Sequence, residues 1–217
     1  MDSEQDTPRN VTGLAITVEF GLAVLAIALA WLMGRPPLAG LDFSSTAINS
    51  NLWAVFIGIL ATVPMLLILP IVQRSNFQPI VRLRNLVDEM IVPMFAETTV
   101  IQMAVISLAA GVGEEMLFRG LLQESIADGI GGDAGMWIGL IIASLVFGAC
   151  HWLTTTYAVL ATGIGIYMGL LFVLTGNLIV PIVAHGLYDF LALVYLVKCR
   201  SVSQPQMSTA PITDETS

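Results

Sequence analysis

Three short clusters of polar side chains interrupt an otherwise apolar chain, and their residue types are those of acid–base chemistry. The first is GVGEEMLFRG, residues 111–120, which carries Glu114, Glu115 and Arg119. Glu115 and Arg119 are spaced i, i+4 with the acid on the N-terminal side, the favourable direction for a helical ion pair. Glu114 projects about 100° away and is left without that partner. A carboxylate at bilayer depth faces a bundle interior or a wet cavity and marks a functional site. The second cluster, LVFGACHW, places His151 four residues after Phe147, on the same helical face. The third, VAHGLYDF, places Asp189 four residues after His185, again on one face. These are the only two histidines of the chain. Taken singly, each residue is as well explained by helix packing. Taken together they point to a functional site rather than to packing alone. Burial raises the pKa of a carboxyl group, toward the range useful to a general base.

Other combinations fail on spacing. Cys150 and His151 are sequence neighbours, so as a nucleophile pair they would point apart on a helix. Ser107 has no histidine at a helical spacing. The two cysteines, Cys150 and Cys199, form no disulfide framework or metal spacing. Glu19, alone in an apolar run, reads as a helix-packing or cavity residue.

E-E-x-x-x-R at 114–119, F-x-x-x-H at 147–151 and H-x-x-x-D at 185–189 follow one another on successive apolar segments. In that order they resemble the CPBP family of intramembrane proteases, which includes the type II CAAX prenyl proteases and the Abi proteins. The wording EEMLFRGLLQE, then SLVFGACH, then GNLIVPIVAHGLYD is similar to that family's core, and the resemblance covers about residues 97–195. It implies hydrolysis of peptide bonds within the membrane, of membrane-associated or lipidated substrates. By position it implies that Glu114 is the catalytic glutamate and His151 its partner in holding and deprotonating water. His185 and the residue at 189 then stabilise the oxyanion, Glu115 and Arg119 form a structural pair, and Phe147 supports the His151 helix. Position 189 is often asparagine in the family and is Asp189 here. An ionised aspartate cannot donate to an oxyanion, so Asp189 either orients a charged His185 or is itself protonated. The favoured mechanism uses no metal and no other cofactor. The alternative is a divalent ion such as zinc held by Glu114, His151 and His185, a two-histidine, one-carboxylate ligand class.

These residues need a scaffold that crosses a membrane. Of 217 residues 56% are hydrophobic and only 11% charged, whereas a soluble domain is about 25% charged. The expected fold is all-α, a polytopic bundle of about six spans with the catalytic core in the last four. A polar tail (1–10) precedes spans at about 11–34 and 52–73 and an amphipathic connector at 79–92. Further spans follow at about 97–126, 135–153, 156–175 and 178–199, then a disordered polar tail over 200–217. Residues 11–96 thus form an N-terminal pair of spans, and 97–199 the core. A cleaved leader is disfavoured because the residues before the first span are acidic. Pro64 and Pro70 are expected to kink the second span. Arg9, Arg74, Arg82, Arg84, Lys198 and Arg200 fall on one side and only Arg35 on the other. The positive-inside rule therefore places both termini in the cytoplasm, with the protein in the cell inner membrane. Partners are then the lipid bilayer and a membrane-associated peptide or protein. Basic clusters with interleaved aromatics are absent, which argues against nucleic acid.

Depth raises a difficulty. Glu114 lies about 25 Å along the third span at 1.5 Å per residue. His151 lies far along the antiparallel fourth, so straight helices put the two at different levels of a roughly 30 Å core. They meet only if the third span starts later, tilts, or breaks near Gly111 and Gly113. Two rival readings remain: a non-catalytic scaffold or bacteriocin-immunity protein, and a small proton-coupled transporter. The transporter lacks a detectable repeated half.

Overall fold

The computed structural model describes residues 11–36 and 40–200, and within them every regular element is helical. Six helices are long and apolar enough to cross a membrane. They are α1 (Val11–Leu32), α2 (Ser45–Arg74), α4 (Val100–Ile130), α5 (Gly132–Cys150), α6 (Thr155–Thr175) and α7 (Ile179–Cys199). The connector α3 covers 78–94 as three short helical pieces in succession. The chain is an integral membrane protein. Its large apolar side chains turn outward as readily as inward, Phe20, Trp53, Ile101 and Leu174 among them, as lipid-facing helices require. The expected tails at 1–10 and 201–217 lie outside the described residues; Arg200 lies within them.

The boundaries differ from the expected ones for local reasons. Helix α4 begins at Val100 because Thr99 and Gln102 close a capping box: Gln102 N–H donates to Thr99 Oγ1, and Thr99 N–H donates to Gln102 Oε1, satisfying two orphan donors. It then continues to Ile130, four residues past the expected end. Gly131, at φ +77°, turns the chain at once into α5, a conformation only glycine adopts without strain. Helix α5 stops at Cys150 rather than 153, because Thr154 already caps α6 by accepting from Tyr157 N–H. His151 therefore lies just beyond the helix. Helix α2 starts earlier than expected and runs unbroken through Pro64 and Pro70. Near the first proline, Tyr167 Oη–H donates to the Ala61 carbonyl at 2.9 Å, the kind of help from a neighbouring helix that proline in a membrane span needs.

Helix α4 is the central column. Helices α1, α5 and α7 pack on it, and α7 in turn packs on α2 and α6. Small residues permit these crossings, as in other membrane bundles. A Cβ at Gly111 would sit 2.8 Å from the Ile182 carbonyl oxygen of α7, and one at Gly113 would sit 2.2 Å from the Glu19 carbonyl oxygen of α1. On its side α1 presents Ala23, Ala26 and Ala30, all buried. At the other end of the bundle Arg84 donates to the Gln73 carbonyl at the end of α2, Arg200 pairs with Asp88, and Lys198 donates to the Ala96 carbonyl. These contacts fasten α3 to α2 and α7.

Candidate functional site

The site is built around the middle of α4, where three neighbouring helices converge. Glu114 and Glu115 are the last two α-helical residues before the helix widens into π-helical turns over Met116–Gln123. Such widening accompanies functional sites because it re-aims side chains without ending the helix. No break occurs at Gly111 or Gly113. The depth difficulty is resolved by the hairpin: Glu114 precedes Gly131 by 17 positions and His151 follows it by 20. Two antiparallel helices joined by so tight a turn bring positions equidistant from it side by side. The 31 residues of α4, about 46 Å of α-helix at 1.5 Å per residue, exceed the bilayer core.

Glu115 is fully buried and is the hub. Its Oε1 accepts from Arg119 Nη1–H at 3.0 Å and from His185 Nδ1–H at 2.7 Å. Arg119, also buried, donates through Nη2 to the Gly165 carbonyl of α6 at 2.9 Å and lies 4.6 Å from the centre of the Phe147 ring. One i, i+4 pair thus ties together α4, α5, α6 and α7. The opposite nitrogen of His185, Nε2, faces Asp189 Oδ2 at 3.4 Å. Asp189 is 37% exposed and marks the open end of the site.

Glu114 turns the other way. Its Oε2 lies 3.7 Å from His151 Nε2, too far for a direct hydrogen bond and the separation at which a bridging water is to be sought. The other nitrogen of His151, Nδ1, lies 2.8 Å from the Phe147 carbonyl oxygen. A carbonyl only accepts, so Nδ1 carries the proton and Nε2 presents its lone pair toward Glu114. Burial holds the proton affinity of His151, beyond the end of α5, below the ordinary histidine value, which favours this neutral form. The ring stacks on Phe147 at 4.4 Å between centroids, and Phe147 is braced edge-on by Phe118 at 5.1 Å.

The structure therefore brings Glu114, Glu115, Arg119, Phe147, His151, His185 and Asp189 into one cluster. It joins two residues that spacing did not place there. Glu19 of α1 comes close enough to interact with Glu114. Tyr157 stands edge-on to His151 at 6.0 Å. Glu115 also does more than pair with Arg119, since it anchors His185 across 70 positions of sequence. The ligand set of Glu114, His151 and His185 does not converge on a metal. Both nitrogens of His185 are directed elsewhere, to Glu115 and Asp189. Among the described residues no group of three or more His, Cys, Asp or Glu is placed to hold a metal ion.

The segment that carries this cluster can be compared with known proteins. Residues 96–191 match the family model described as Type II CAAX prenyl endopeptidase Rce1-like. Over this core the chain is similar to the Rce1-like family, and through it to the CPBP group of CAAX proteases. The match takes in the whole cluster except Glu19. A Bacillus subtilis (strain 168) protein, "Uncharacterized protein YpbD", is 34% identical over 102 residues, which are 44% of this chain and 46% of that relative. The chain thus spans less than half the length of the curated relative it matches. No solved structure matches it. The Rce1-like segment begins just before α4, so α1, α2 and α3 lie outside it.

Proposed function

We propose that this protein is an intramembrane endopeptidase that hydrolyses peptide bonds of membrane-associated or lipidated substrates without a metal ion. The observation that carries this reading is the gap between Glu114 and His151: a buried carboxylate and a fixed imidazole lone pair, 3.7 Å apart, within an Rce1-like core. A water held there is polarised from both sides. Glu114 takes a proton from it, and the oxygen adds to the scissile carbonyl carbon. His185 is held through Nδ1 by Glu115 and directs Nε2–H outward. At 3.4 Å from Asp189 that proton is loosely held, so a developing oxyanion competes for it; such donors contribute about 2.7–4 kcal/mol each. Asp189 in this reading orients His185 rather than donating. The C–N bond breaks as the proton on Glu114 passes to the leaving nitrogen.

Substrate entry is supported by a cavity of about 350 Å³ among α2, α3, α4 and α7, lined by Leu69, Leu83, Ile106, Leu193 and others and reaching Tyr157 and Asp189. Its walls are apolar and its end is polar, which suits a chain that carries a lipid or hydrophobic side chain up to the bond to be cut. The excess of arginine and lysine beside α3 and after α7 supports a cytoplasmic setting for that end of the bundle, in keeping with both termini in the cytoplasm and the protein in the inner membrane.

Membrane proteomes of cells expressing the wild type and Glu114→Ala provide the test. The expected outcome is accumulation of one or more uncleaved precursors in the variant. Identical peptide patterns at equal protein levels would remove the basis for an enzyme.

A further inference from the structure

Hydrolysis as derived above moves a full negative charge from Glu114 onto the substrate carbonyl oxygen, beside the carboxylate of Asp189. That oxygen needs hydrogen-bond donors, and few are free. Arg119 is buried and committed to Glu115 and the Gly165 carbonyl. His151 gives Nδ1–H to the Phe147 carbonyl. His185 gives Nδ1–H to Glu115 and shares Nε2–H with Asp189. Carboxylates only accept. One N–H is therefore left among these groups, and a carboxylate 3.4 Å away competes for it. Tyr157 offers a further donor. Its ring stands edge-on to His151 at 6.0 Å, and it lines the polar end of the cavity together with Asp189. It comes close enough to interact with both Glu114 and Asp189. A phenol is protonated at neutral pH, and the Tyr157 hydroxyl has no hydrogen-bond partner among the described residues. Two other hydroxyls line the cavity. Ser107 lies two turns of α4, about 10 Å, before Glu114, and the Tyr188 ring packs against the core of Ala61, Met65, Met168 and Ala184.

We infer that the Tyr157 hydroxyl is a second donor to the oxyanion, opposite His185 Nε2–H. This rests on the protease reading of Glu114 and His151. The local fold supports it by fixing the tyrosine relative to His151. Tyr157 N–H donates to Thr154 Oγ1 at 3.1 Å, which sets the residue in the first turn of α6. Between the helices, Leu153 N–H donates to the His151 carbonyl at 2.8 Å. The residue after Tyr157, Ala158, is buried against α5, where a Cβ at Gly148 would sit 2.7 Å from its carbonyl oxygen. The last turn of α5 and the first turn of α6 are thus locked together, with His151 and Tyr157 on either side of the join. During the reaction the hydroxyl keeps its proton. Its hydrogen bond strengthens as the water oxygen adds and the carbonyl π electrons move onto oxygen. It weakens again when the carbonyl re-forms and the C–N bond breaks. An interaction of that kind favours the transition state over bound substrate, so it raises kcat rather than lowering KM.

The test uses the purified full-length protein in lipid nanodiscs. The cleavage probe is an internally quenched farnesylated peptide ending in a CAAX motif. Two forms of it that resist cleavage serve as ligands. One carries a phosphonate, a tetrahedral anion, in place of the scissile carbonyl; the other has an N-methylated scissile amide, planar and neutral. Tyr157→Phe should lower kcat about 10²-fold with KM within about twofold of wild type, the scale for loss of one oxyanion donor. It should weaken phosphonate binding by a similar factor and leave the affinity for the N-methyl peptide unchanged, which also shows that the variant is folded. Unchanged kcat and phosphonate affinity overturn the inference. So does an equal loss for both ligands, since Tyr157 would then be a wall of the cavity only. A phosphonate preference abolished by Tyr188→Phe and kept by Tyr157→Phe overturns it as well. A wild type that neither cuts the probe nor prefers the phosphonate removes the protease reading instead. If it prefers the phosphonate without cutting the probe, the ligand comparison still decides the role of Tyr157.

Discussion

At the scale of single residues, Glu114 and Glu115 are adjacent in sequence and opposite in consequence. Glu115 is an internal counterion, accepting from Arg119 and His185 at one oxygen. Removing it leaves a buried guanidinium and a histidine without their anion, a change that costs about 3–5 kcal/mol. Glu114 has no such partner, and Glu114→Gln relieves a carboxyl–carboxyl contact while keeping the shape. Thermal unfolding in detergent should therefore show a large loss of stability for Glu115→Ala and none for Glu114→Gln. Cleavage by the latter should fall about 10²–10⁴-fold, as for loss of a general base. Equal destabilisation by both would refute the division of labour. The Glu115–Arg119 pair and the Phe147–His151 stack were legible in sequence because helical periodicity reports what lies one turn away. Glu115 with His185, and Glu114 with Glu19, were not, since periodicity is silent about which faces of distant helices meet.

At the scale of elements, close helix crossings set the distances within the site. The Glu19 carbonyl occupies the space where a Cβ at Gly113 would go, whereas nothing lies within 4 Å of a Cβ at Gly163 in α6. Gly113→Ala should push α1 from α4, lowering stability by about 1–3 kcal/mol and carrying Glu19 away from Glu114. Gly163→Ala should raise stability by about 0.5–1 kcal/mol through helix propensity alone. Unfolding midpoints of the two variants compare a crossing with an open helix face, and a Gly113→Ala midpoint at or above the wild type would show that α1 is not wedged there. The number of spans follows from hydropathy, but their ends depend on particular residues. The Thr99–Gln102 capping box set the start of α4 three residues later than expected. The turn at Gly131 and the Thr154 cap moved the ends of α4 and α5 by a few residues, enough to shift Glu114 and His151 from apparently different depths to the same one.

For the molecule as a whole, the N-terminal helices do more than anchor the core that follows them. Helix α1 supplies Glu19, and α2 and α3 supply one wall of the apolar cavity, Leu69, Leu83, Val87 and Ile91, facing Ala192 and Leu193 of α7. Its polar end is at Asp189 and Tyr157, so a substrate occupying it would present its backbone to His185 while its apolar part stays among side chains. Ala192 lies one turn beyond Tyr188 and Asp189 on α7, away from Glu114 and His151. Ala192→Phe should fill much of the cavity without touching the water site. The expected result with the farnesylated probe is a KM raised several-fold and a kcat within about twofold of wild type, the pattern for lost uniform binding. The shorter the apolar group on the probe, the smaller the difference between variant and wild type should become, because less of the substrate then needs the cavity. A variant whose kcat falls while KM holds would place the cavity's influence on the chemical step, and the substrate path would have to be sought elsewhere between the helices.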